Sequence, residues 1–132
     1  MPQVDLVSAT FVVADPPRVA AAVHDEAFWR ELWPGLALTV YQDRGVQGIR
    51  WNCSGALVGS CEVWLQQYGD GVIVHCYLRA DLPPGQAAAA AGRTVRREVH
   101  RRQIQVNKVG FAFKDRLADR SSAGDDLPSS QA

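Results

Sequence analysis

The apolar residues Val95, Val99, Val106, Val109, Phe113 and Leu117 recur at steps of 4, 7, 3, 4 and 4, which keeps them on one side of a 3.6-residue period. This spacing predicts one long C-terminal helix, from about Gln86 to Arg120, with one face to bury. Arg93, Arg96, Arg97, Arg101, Arg102, Lys108, Lys114, Arg116 and Arg120 crowd the remaining positions, so the opposite face is expected in water.

Upstream, the β-branched run Val4 to Val13 predicts a first strand. Asp15-Pro16-Pro17 follows, where Asp15 is placed to cap a short helix through Val23 whose first turn accepts proline. Asp25 is placed to cap a second helix, with Phe28/Leu32 and Trp29/Trp33 at i, i+4 and Pro34-Gly35 as its stop. From Leu36 the period changes to two. Leu36 to Tyr41, Gly48 to Ser54, Ser60 to Gln67 and Val72 to Leu82 read as four strands separated by turn signals.

The last two strands are joined by Tyr68-Gly69-Asp70-Gly71, and Asp-Gly is a strong signal for a two-residue hairpin loop. With Asp70 and Gly71 as the loop, Glu62 opposes Arg79, Trp64 opposes Tyr77, Gln66 opposes His75 and Val63 opposes Leu78. The hairpin then has two faces. Val63, Leu65, Val74, Cys76 and Leu78 form an apolar face for the helix stripe; Glu62, Trp64, Gln66, His75, Tyr77 and Arg79 form a polar, aromatic one.

The chain has 132 residues, 47% hydrophobic and 21% charged, enough for one domain with its own core. No run approaches the roughly 20 apolar residues of a membrane-spanning helix. The N-terminal apolar run lacks a preceding basic region and is interrupted by Asp5 and Asp15, so the expectation is a cytoplasmic protein without a secretory signal. Cys53, Cys61 and Cys76 contain no CxxC pair and fall in strand-like runs, which predicts reduced, buried thiols. With His24, His75 and His100 scattered over different elements, no metal site is expected, and no cofactor. Net charge is zero, yet residues 93 to 120 carry nine basic and three acidic side chains. In the absence of a nucleic-acid motif or interleaved aromatics, that excess reads as a solvated helix face, with no nucleic-acid partner. Ser121 to Ala132 is nearly devoid of apolar residues and is expected to be a disordered tail after a domain at 1–120.

The element order is strand, two short helices, a run of antiparallel strands and one long helix. With Asp-Pro-Pro-Arg-Val after the first strand, a Trp-rich second helix closing in Trp-Pro-Gly, and a late Gly-Asp-Gly hairpin, it resembles the START-like (SRPBCC) superfamily. It looks most like the small bacterial polyketide cyclase/dehydrase-type proteins. The resemblance covers Val4 to Arg120 and implies an α+β helix-grip fold: a curved antiparallel sheet around the C-terminal helix, with a hydrophobic cavity between them. It also implies binding of a small lipid- or polyketide-like molecule, with cyclase or dehydratase chemistry in some members. This chain has room for about five strands where such proteins usually have seven, so a smaller or more open cavity is expected.

On that reading the expected pocket residues are Trp33, Trp51, Val63, Cys76, Leu78, Val106, Gly110 and Phe113. Gly110 stands out, because glycine inside a helical stripe costs about 1 kcal/mol against alanine and must admit either close packing or space. The plain alternative is that all eight are core. Glu62, Trp64, His75, Tyr77 and Arg79 form the second candidate group. A Glu/His pair moves protons and Tyr/Arg hold an oxyanion, but the hairpin pattern places this face away from the helix, where an exposed aromatic patch framed by charge suits a homodimer interface. No nucleophile stands beside a base at a diagnostic spacing, and the catalytic residues stay unassigned. A third reading is a dimeric interaction module with a filled core.

Overall fold

The computed structural model describes residues 2–85 and 88–130, with side chains described over 2–85 and 90–118. The elements are β1 (Val4–Val12), α1 (Pro16–Val23), α2 (Glu26–Leu32), β2 (Leu36–Asp43), a 3-10 turn at Gly45–Gln47, β3 (Gly48–Gly55), β4 (Val58–Tyr68), β5 (Gly71–Asp81) and α3 (Ala88–Ser130). Every expected element is present, and each lies within two or three residues of its expected ends except α3, which continues ten residues past Arg120 to Ser130, through most of the expected tail. Gln86 and Ala87, expected to open α3, lie outside the described residues, as do the side chains of the expected tail.

The five strands form one curved antiparallel sheet in the order β1-β5-β4-β3-β2, and α3 packs on it, chiefly over β1: an α+β helix-grip arrangement. Alternation sorts the sheet. Val4, Leu6 and Val12 of β1, Cys61, Val63 and Leu65 of β4, and Val74, Cys76 and Leu78 of β5 are buried on the inner face. Val106, Val109, Phe113 and Leu117 of α3 meet that face, and α2 closes one side, with the Phe28 and Phe113 ring centroids 4.7 Å apart.

Four local expectations need correction. The β4–β5 hairpin loop is Gly69-Asp70, so Trp64 opposes His75, Glu62 opposes Tyr77, Ser60 opposes Arg79 and Val63 opposes Cys76. Gly69 holds φ +57° while no non-glycine residue among those described has positive φ; the pattern is that of a II′ turn with glycine first, and Asp70 is spared the left-handed conformation that the other register demands of it. The slip moves opposed pairs by two residues in total, so each residue keeps its face. Asp15 makes no side-chain cap to α1, whereas Asp25 accepts from the Ala27 N–H at 3.0 Å. Gly110 opens no space: a Cβ there would lie 2.8 Å from Thr10 Oγ1, so the glycine lets α3 approach β1. The largest difference is Arg102. It occupies the position skipped by the seven-residue step from Val99 to Val106 and, at 6% exposure, belongs to the buried stripe.

Candidate functional site

Arg102 and the side chains around it form the most unusual chemistry of the inner face. Glu98, one turn earlier on α3, is buried as well, and Arg102 Nε donates to its Oε1 at 3.0 Å. Arg101, largely in solvent, donates to the other carboxylate oxygen. Burial works to raise the Glu98 pKa, but the hydrogen bonds from Arg101 and Arg102 prevail and hold it below the ordinary carboxylate value. Arg102 Nη1 is buried without a hydrogen-bond partner among the described residues, and the same is true of the indole Nε1 of Trp33 and of Trp51.

An opening of about 410 Å³ lies beside Arg102, bounded by Pro34 and Gly35 after α2, Ala56 in the β3–β4 turn, and Arg101 and Gln105 on α3. Its walls are tied together. Gln105 Nε2 donates to the Glu31 carbonyl at 2.7 Å, and the Ala56 N–H reaches the Gly35 carbonyl at 3.4 Å. A side chain on Gly35 would begin 3.8 Å from Arg102 Nη2.

Arg102 also biases a pair of thiols. Cys53 on β3 and Cys61 on β4 are both buried, and the bond from the Cys61 thiol holds the Cys53 pKa down to about 7 against its burial; the Gly59 N–H and the Arg102 charge act in the same direction. Cys61 is correspondingly raised, by that same bond and by burial. Cys76, buried among apolar neighbours, is pushed up to about 12. All three cysteines are unpaired as disulfides, as the sequence suggests.

Of the expected pocket residues, Trp33, Trp51, Val63, Cys76, Leu78, Val106 and Phe113 come together in one core cluster, each at most 6% exposed. They pack on one another and on α2; the Trp29 and Trp51 centroids are 5.2 Å apart, and Trp29 Nε1 donates to the Val23 carbonyl at 2.6 Å. Gly110 stands apart from them, against Thr10. Sequence reasoning passed over Glu98 and Arg102 as surface charges. The signal was available: a seven-residue gap in the stripe, filled at the right phase by Arg102, with a carboxylate four residues before it.

The outer face brings the other group together, in a different order from the one expected. Trp64 stacks on His75 at 4.6 Å and 23°, His75 lies near-parallel to Tyr77 at 6.3 Å, and the Arg79 guanidinium sits 5.8 Å from the Tyr77 centroid. These rings are half-buried, so the expected open aromatic patch is a partly covered, stacked ladder. His75 Nε2 lies 2.9 Å from Gln66 Oε1, and burial lowers its pKa, favouring the neutral ring. Glu62 is turned to Arg44, at 3.1 Å, and to Arg50, at 3.6 Å. The Glu62–His75 proton relay is therefore not assembled, because each residue is committed to a different neighbour. Across the ladder, Tyr41, Arg50, Asn52 and Ser60 join Glu62, Tyr77 and Arg79 around a groove of about 500 Å³.

No family model and no curated protein matches the sequence of this chain. Solved structures do match its fold. DR_A0006 from Deinococcus radiodurans superposes with a TM-score of 0.61 at 12% identity over 86% of this chain and 97% of its own. Protein Ms6760 from Mycobacterium smegmatis gives 0.55 at 11% identity, covering 90% and 93%. The Aha1 dimer from Colwellia psychrerythraea gives 0.53 at 11% identity, covering 87% and 96%. At such identities the likeness concerns architecture alone, and what it establishes is that this chain has the START-like, helix-grip fold.

Proposed function

We propose that the protein binds a small, largely apolar molecule, lipid- or polyketide-like, carrying an oxygen acceptor, in the opening beside Arg102 between α3 and the α2–β2 and β3–β4 turns. The observation that carries this reading is the Arg102 guanidinium at the wall of an opening of about 410 Å³: it is held through Nε by Glu98, and its Nη1 is buried without a hydrogen-bond partner among the described residues. A buried donor without an acceptor costs about 1–3 kcal/mol, and a carbonyl or carboxylate oxygen brought against the guanidinium offsets that cost. Because Glu98 fixes the fork through Nε, the remaining N–H groups are held in place and lose little freedom on binding. The volume suits a compact ligand, in keeping with a five-stranded sheet whose core is filled by its own side chains.

The test is native mass spectrometry on protein purified gently from its own host, paired with a neutral apolar fluorescent dye as reporter. The expected result is a discrete adduct released on denaturation, and dye emission that rises on binding and is abolished by Ala56→Trp. Ala56 sits at the exposed rim, so that variant fills the opening without disturbing the Glu98–Arg102 pair. Protein without an adduct, together with dye emission indifferent to Ala56→Trp, overturns the reading.

A further inference from the structure

The outer-face groove is separate from the cleft beside Arg102, on the opposite side of the sheet, and its chemistry is of another kind. Its size, about 500 Å³, lies in the range of small-molecule sites. One wall exists because of a backbone irregularity. The β2–β3 register shifts between Val40 and Gln42, and the extra residue is Tyr41, exposed at the groove with the Arg50 Cζ 5.2 Å from its ring centroid. Bulges of this sort re-aim a side chain that regular alternation sends elsewhere. The opposite wall repeats the motif, with Arg79 over Tyr77. Between the walls, the opposed pair Asn52 and Ser60 supplies polar side chains without a side-chain hydrogen bond among the described residues.

Charge decides what such a groove accepts. Glu62 is the single carboxylate of the lining, and Arg44, just outside it, already faces that carboxylate at 3.1 Å. Arg50 holds Glu62 only at 3.6 Å and donates to Gln42 Oε1 at 3.2 Å; Arg79 holds Asp5 at 3.5 Å, with both partners about half in solvent. Two guanidiniums thus face the groove with long, screened contacts and N–H groups in reserve, each lying over an aromatic ring. We propose that this groove is a second binding site, for a planar aromatic carboxylate: its anionic oxygens take the Arg50 and Arg79 forks, and its ring lies against Tyr41 or Tyr77. Guanidinium forks match carboxylates in two-bond geometry, and the flanking rings offer a planar body a stacking surface.

The proposal is independent of the apolar-ligand reading and is tested apart from it. The amide NMR spectrum of the whole protein is titrated with 2-naphthoate, and with 2-naphthalenemethanol as its neutral counterpart. The expected result is saturable shifts at Tyr41, Asn52, Ser60 and Tyr77, with binding about tenfold weaker or worse for the alcohol, at high salt, and in Arg79→Gln. Arg79 is 60% exposed, so this variant keeps the fold; Tyr41→Leu, at an equally exposed position, weakens both probes. Equal affinity for the acid and the alcohol, or shifts confined to residues outside the groove, overturns the proposal. So do shifts at these amides that follow protein concentration in place of ligand, because a second copy of the chain then occupies the face.

Discussion

Arg102 donates through Nε to Glu98 Oε1 at 3.0 Å, and both side chains sit inside the apolar stripe by which α3 grips the sheet. The pair is a charged insertion in a core otherwise built from aliphatic, aromatic and cysteine side chains. Each charge depends on the other. Glu98→Gln or Arg102→Met alone is expected to cost about 3–5 kcal/mol in urea unfolding, because the remaining group is left buried and uncompensated. The double variant Glu98→Gln/Arg102→Met is expected to cost much less than the sum of the two, and a fully additive result rules out the coupling.

Stability against pH should show two limbs. Glu98 is held below the ordinary carboxylate value of 4.5 in the folded chain, so its contribution is present above that value and is lost as pH falls through the folded one. Cys76 goes the other way: its thiol is raised from 9.0 to about 12, so stability is intact below about 9 and declines as pH rises from there toward 12. Glu98→Gln should flatten the acid limb and Cys76→Ala the alkaline one. Urea midpoints collected across pH check both.

Gly110 and Thr10 mark the closest approach of α3 to β1. Alanine at 110 gains about 1 kcal/mol of helix propensity, but its Cβ would meet Thr10 Oγ1 at 2.8 Å, and Thr10 is β-branched and stiff. Gly110→Ala is therefore expected to be neutral or destabilising by about 1–2 kcal/mol. Adding Thr10→Ala should release the contact and recover the propensity gain. A double-mutant cycle by thermal unfolding measures the coupling, and stabilisation by Gly110→Ala alone contradicts the packing.

Trp64 covers His75. Burial lowers the His75 pKa, so the folded chain resists protonation that the unfolded chain accepts, and this contribution to stability is lost as pH falls through the ordinary histidine value near 6.5. Trp64→Ala should expose the ring, move the NMR titration of His75 upward toward that value, and remove about 1 kcal/mol of stacking. An unchanged titration midpoint shows that the indole is not what shields the imidazole.

Much of this architecture was legible because it rests on short-range periodicity. The parity of β4 and β5 assigned Val63, Leu65, Val74, Cys76 and Leu78 to one face, and that assignment survived an error in the register, since opposed pairs moved by an even count. The Val95-to-Leu117 stripe named the gripping face of α3 in the same way. The hairpin loop itself was misplaced by one residue, because both Asp70-Gly71 and Gly69-Asp70 satisfy a two-residue loop. The choice depends on which residue carries positive φ.

The sequence by itself determined the element order, the sides of the sheet and the buried stripe, because alternation at two and 3.6 residues is a property of neighbouring positions. Only the tertiary structure decided that Arg102 belongs to the core, that Gly110 serves close packing with Thr10, and that Glu62 turns to Arg44 and Arg50 and away from His75. Those outcomes depend on residues from different elements, 12 to 100 positions apart, meeting in space. Gly35 reaches Arg102 only once the turn after α2 and α3 have closed on one another. Local pattern carries no information about which distant partner fills a given space, and it is that partner which turns a charged helix residue into part of the core.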